Sequence, residues 1–144
     1  SANSTVLVTS PPYPNAYEYW LYHKYRMFWL GHDPIKVKND EIGARPHYFK
    51  KNPQTEFDFQ RQMRAMLENL LPKFSDGAFL SFVVGNSRIH GRDIENDKLI
   101  IEAAGDLGIS HFVTLTRDIK QNRKSFNLRN SRLKSEKIVV LRLQ

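Results

Sequence analysis

Residues 5–13 read Thr5-Val6-Leu7-Val8-Thr9-Ser10-Pro11-Pro12-Tyr13. The first five form a β-branched run, and a strand is the expected conformation. The two prolines end it, because each fixes φ and removes a backbone donor. Downstream, Tyr17, Trp20, Leu21, Tyr25 and Phe28 recur at helical spacing. They predict a helix over Asn15–Leu30, with Gly31 just past its end. Strand, rigid turn and helix in that order open an α/β arrangement. The helix is aromatic on more than one face, so cover on more than one side is expected.

The rest of the chain continues the alternation. Thr55, with Asp58 three residues on, resembles a capping box for a second helix. Its apolar stripe is Phe59, Met63, Met66, Leu67 and Leu70, and Pro72 stops it. Asp76-Gly77 turns the chain into Ala78–Val84, a strand apolar enough to be buried on both faces. A third helix is predicted over Asp97–Leu107. Two final strands, Ile109–Arg117 and Lys137–Leu143, have no helix between them and are expected as an antiparallel hairpin at one edge. The predicted order is β-α-α-β-α-β-β, an α/β sheet with right-handed crossovers. The stretch 31–55 has Pro34, Pro46 and Pro53 and little periodicity. Its Lys36, Lys38, Arg45, Lys50 and Lys51 suit a small target-recognition insertion or an ordinary irregular connection.

The 144 residues amount to one domain, with 40% hydrophobic and 26% charged residues, so a disordered or fibrous chain is excluded. No cysteine is present, which excludes disulfides, thiolate metal sites and cysteine nucleophiles. No apolar run is long enough to cross a bilayer. The five histidines are scattered without metal-ligand spacing, so no metal site is expected. The net charge of +7 favours a polyanionic partner. Between Arg117 and Lys137 stand eight cationic residues against two acidic ones, nearly the whole excess. Lys120, Arg123, Lys124 and Arg129 in this loop suit phosphate contacts, or equally a solvated hairpin loop.

In open α/β sheets, ligands bind beyond the carboxyl ends of the strands, which is where Ser10-Pro11-Pro12-Tyr13 falls. Ser10 offers a hydroxyl, Pro11 a carbonyl and Tyr13 an aromatic face. Two acceptors and a ring can hold a planar base by its exocyclic amine. The same residues also suit a plain strand-end turn with Tyr13 in the core.

Thr9-Ser10-Pro11-Pro12-Tyr13 and the aromatic helix after it resemble motif IV of the amino-methyltransferases that modify exocyclic nitrogens of DNA bases. The stretches FLSFVVGNSRIHGRDIENDKLI, from Phe79 to Ile100, and SRLKSEKIVVLRL, from Ser131 to Leu143, are similar to the same family of site-specific DNA modification methylases. The resemblance implies the second half of a class I, Rossmann-like methyltransferase sheet. It implies that Ser10, Pro11, Pro12 and Tyr13 are catalytic. Ser10 and the Pro11 carbonyl would accept from the target amine, and Tyr13 would stack on a flipped base. Ser10 and Pro11 would meet S-adenosylmethionine only at its edge. A serine in the first position favours cytosine N4 over adenine N6. Asn86, Ser87, Arg88 and Arg92 would touch the target nucleotide or phosphate; their other reading is a capped turn with solvated arginines. DNA is the implied partner and the cytoplasm the implied location.

The family's glycine-rich cofactor turn is missing: the seven glycines contain no G-x-G. The expectation is a C-terminal fragment or split subunit, inactive by itself and completed by an N-terminal half. Its first strand would then expose an edge, and pairing with a second copy is expected there. Two other functions fit less well. One is an RNA or protein amine methyltransferase fragment, and the other a non-catalytic basic nucleic-acid-binding module.

Overall fold

The computed structural model describes residues 4–15, 17–118 and 135–144. Strand β1 (Ser4–Thr9) is followed by helices α1 (Tyr19–Trp29), α2 (Pro34–Asp40) and α3 (Glu56–Leu70). A long strand β2 (Phe74–Val84) leads into a small hairpin of β3 (Ser87–Ile89) and β4 (Arg92–Ile94). Helix α4 (Asn96–Gly105), β5 (Ser110–Asp118) and β6 (Ser135–Arg142) complete the chain. The main sheet has the order β1-β2-β6-β5. Only β1 and β2 are parallel; β2 with β6, and β6 with β5, are antiparallel. The mixed α/β class and the terminal antiparallel pair are as the sequence leads one to expect.

One face of the sheet forms the core. Ala78, Leu80, Phe82 and Val84 of β2 alternate inward and meet Val139 and Leu141 of β6. Phe59, Met63 and Leu67 of α3, and Ile100, Ala103 and Ala104 of α4, cover them. Among the described residues, the opposite face is open. Registry puts Val6 and Val8 of β1 on it, beside Phe79 and Ser81 of β2. Val8 is 70% exposed, and Val6, Phe112 and Leu115 are all more than half exposed. The expectation that β2 is buried on both faces is therefore corrected. Its residues alternate between buried and half-buried, because no described element covers the second face.

Three local expectations also change. The helix predicted from Asn15 starts only at Tyr19, because Asn15 has φ 58°, a left-handed conformation no helix residue adopts. Its aromatics are not core: none of its residues is buried, and Trp29 is 91% exposed. The stretch 31–55 is not a loop throughout. It holds α2, capped by Asp33 through a 2.8 Å bond from the Ile35 N–H, and a 3-10 turn (Arg45–Tyr48) with His47 and Tyr48 buried. Asn86-Ser87-Arg88 is not a simple turn, since Ser87 begins the β3–β4 hairpin. His90 (φ 48°) and Gly91 (φ 82°) supply the two left-handed residues that a tight hairpin needs.

Candidate functional site

Strands β1 and β2 run parallel, so Ser10 and the Gly85-Asn86 turn leave the sheet at the same end. Ser10 is exposed, Pro11 and Pro14 are buried, and Pro12 and Tyr13 are half-buried. Tyr13 packs against the edge of the main core. The turn thus has a buried proline floor and presents the Ser10 hydroxyl to solvent. Among the described residues, no backbone donor reaches the Pro11 carbonyl.

The turn is held from both sides. The Asn15 N–H donates to the Gly43 carbonyl at 3.0 Å, and its side-chain amide donates to the Arg88 carbonyl at 2.7 Å. Gly43 has φ 73°, and a Cβ there would lie 2.8 Å from the Tyr13 carbonyl oxygen. A side chain at position 43 would push on the backbone of the turn. On the β2 side, the fully buried Asn96 donates to the Gly85 carbonyl and to Ser87 Oγ, each at 2.7 Å. Asn15 and Asn96 therefore fix the two loops that the sequence singles out.

Tyr13, Tyr17 and Tyr19 lie close together. Burial, then the neighbouring Tyr17 and Tyr13 and the Glu41 carboxylate, push the Tyr19 hydroxyl above its ordinary pKa. Glu41 also accepts from the Tyr19 and Trp20 N–H groups at 2.8 Å each, so it caps α1 and offsets its N-terminal partial charge.

The expected phosphate contacts divide. Asn86 is exposed, and Ser87 is half-buried and bound to Asn96. Arg88 donates to the Gly91 carbonyl at 3.1 Å, inside its own hairpin. Arg92 pairs with Glu56 at 3.1 Å. Arg88 also lies 3.9 Å from Asp93, and both arginines are more than half exposed, so these ion pairs contribute little. Lys120, Arg123, Lys124 and Arg129 lie outside the described residues.

Sequence reasoning missed Asn15, Gly43 and Asn96. The Pro-Asn pair after the turn is a signal for Asn15, because asparagine tolerates the left-handed region. Nothing local marks Gly43 or Asn96, whose partners are distant in sequence.

A nucleotide-like cofactor needs a glycine-rich strand-to-helix turn. The glycines with positive φ are Gly31, Gly43, Gly77, Gly91 and Gly108. No two of them share such a turn, so the described residues do not supply a glycine-rich cradle. A groove of about 370 Å³, lined by residues that include Gly77, His111, Phe112 and Arg142, lies at the other end of the sheet from Ser10. Among the described residues, no group of His, Asp or Glu is arranged to hold a metal ion. No helix among them is long and apolar enough to cross a membrane.

No protein-family model matches the sequence, and no curated protein matches it. Among solved structures, the chain is similar to a candidate DNA modification methylase from Thermus thermophilus, crystallised in selenomethionine form. The TM-score is 0.48 at 17% sequence identity. The match covers 99% of this chain and 45% of that one, so this chain spans less than half of that protein's length.

Proposed function

We propose that this chain is the target-base half of a DNA methyltransferase that modifies an exocyclic amine, cytosine N4 in preference to adenine N6. One observation carries the reading: Ser10-Pro11-Pro12-Tyr13 leaves a parallel strand at its carboxyl end, with Ser10 exposed and Tyr13 beside it. In a duplex the amine is stacked and paired, so the base must be flipped out. Ser10 Oγ and the Pro11 carbonyl then accept its two N–H groups. Tyr13 stacks on the base plane. Holding both hydrogens aims the nitrogen lone pair away from the turn, and the acceptors stabilise positive charge developing on nitrogen. The rigid proline backbone keeps the acceptors in place before the base arrives.

S-adenosylmethionine supplies an electrophilic methyl group to such a nitrogen. The described residues do not form its cradle. We place the cradle on a strand-and-helix half outside these 144 residues, in a Rossmann-like sheet. Two features support that placement: among the described residues β1 is an edge strand, and nothing covers the sheet face bearing Val6, Val8 and Phe79. A parallel strand on that edge with an apolar helix over that face would cover both.

The test uses the complete protein. Ser10→Ala and Tyr13→Ala should abolish methyl transfer to DNA while duplex binding persists. Equal loss of binding and transfer would favour a plain binding module instead.

A further inference from the structure

We infer that the aromatic surface running from the Ser10–Tyr13 turn onto the outer face of α1 is a stacking track for unpaired bases of a DNA strand, with Lys24 and Arg26 beside its phosphates. This rests on the turn being a DNA-base clamp and extends it to neighbouring nucleotides. Helix α1 is apolar on two sides. Its inner side is Trp20, His23 and Met27, at i, i+3 and i+7, all half-buried. The Lys38 ammonium of α2 lies 5.2 Å from the Trp20 ring. The outer stripe is Tyr22, Tyr25 and Trp29, exposed by 69%, 69% and 91%. Large rings exposed to that degree on one stripe need a partner to cover them.

Charge and continuity select the partner. No acidic side chain lies within α1, whereas Lys24 and Arg26 alternate with its rings. The adjoining carboxylates stand at its N-terminal end, where Glu18 is the N-cap residue and Glu41 accepts from the helix N-terminus. From Tyr19 to Trp29 rings and cations stand without anions, which matches the bases and phosphates of a single strand. The Lys24 ammonium sits 4.9 Å from the Tyr25 ring centroid, so cation and ring already form one surface. The stripe is also continuous with the candidate site. Tyr17 stacks on Tyr19 at 5.6 Å and meets Tyr22 at 5.7 Å, and Tyr19 neighbours Tyr13. From Tyr22 to Trp29 the helix rises about 10 Å, room for about three stacked bases.

The two tryptophans make the test direct. In the 144-residue chain with Trp20→Phe, Trp29 is the only tryptophan emitter. The probe is an oligodeoxythymidylate of about 16 nucleotides. Its binding, read by anisotropy of a labelled copy, should quench Trp29 over the same concentration range. Trp29→Ala and Tyr25→Ala should each weaken binding about tenfold, and Trp29→Phe should restore most of it. Binding without quenching, and unaffected by these variants, overturns the track and leaves the DNA reading standing. No binding at all also overturns the track, while the DNA reading is decided separately by methyl transfer in the complete protein. Self-association that shields Trp29 and vanishes in Trp29→Ala also overturns it, because a second copy would then be the occupant.

Discussion

The side-chain amide of Asn15 donates a 2.7 Å hydrogen bond to the backbone carbonyl of Arg88, 73 positions away. Through it the turn after β1 is tied to the hairpin after β2, at the end of the sheet where the proposed clamp sits. Asn15 is also left-handed at φ 58°, a conformation that disfavours alanine by about 1 kcal/mol or more. Asn15→Ala should therefore destabilise the chain by about 2 kcal/mol, combining strain with a lost hydrogen bond. Asn15→Gly should lose only about 1 kcal/mol, since it keeps the backbone freedom. Urea unfolding of the two variants checks the order. Equal midpoints would mean that the backbone conformation contributes nothing.

Gly43 holds the turn from the other side. Its φ of 73° and the 2.8 Å approach of a notional Cβ to the Tyr13 carbonyl leave no room for a side chain. Gly43→Ala should cost about 2 kcal/mol or more. In the complete protein it should also lower methyl transfer by more than it lowers stability at assay temperature, because the displaced atom belongs to Tyr13. Thermal melts beside transfer rates measure both; unchanged rates in a folded variant would show that the turn tolerates the shift.

Much of this architecture was legible. Thr5–Thr9 and its prolines mark the first strand and its end, and the capping contact of Thr55 with Asp58 is present at 2.7 Å. The illegible parts depend on distant partners. Glu41 caps α1 from beyond the helix that follows it, so α1 has no acidic residue in its own first turn to announce its start. The His90-Gly91 hairpin lacks the usual Asn-Gly signal. Periodicity finds the apolar positions of β2 and α1 but cannot say whether anything covers them. Trp29 is therefore exposed where cover was expected. Of the candidate site, the Ser10–Tyr13 turn at a strand end was readable, and the asparagines that tie down the neighbouring loops were not.

Alkaline stability should depend on Tyr48. Its ring is fully buried and its hydroxyl has no partner among the described residues. Burial, then the charge of Asp58, raises its pKa above the ordinary 10.0. The unfolded chain ionises this tyrosine first, so stability falls as pH rises above about 10 and continues to fall up to the folded value. Tyr48→Phe should be within about 1 kcal/mol of wild type at neutral pH. Above pH ~10 it should lose up to about 1.4 kcal/mol per pH unit less than wild type. Parallel pH profiles for the two proteins would contradict this assignment. Lys137 is raised by its hydrogen bond to Asp97 and titrates in the same direction, so it stays in both proteins as a constant background.

The free edge of β1 predicts self-association of the 144-residue chain. Ser4, Thr5, Val6 and Val8 are exposed along it, and no proline or lysine blocks strand pairing there. Light scattering at high concentration should give a dimer, and Val6→Lys should return it to monomer. A clean wild-type monomer would show that the edge is not sticky by itself.

The most direct measurement is nucleoside mass spectrometry of DNA from cells expressing the complete protein, beside its Ser10→Ala variant. N4-methylcytosine in the first sample and its loss in the second is the expected result. DNA free of methylated amines in both samples, with the protein folded and expressed, would contradict the base clamp.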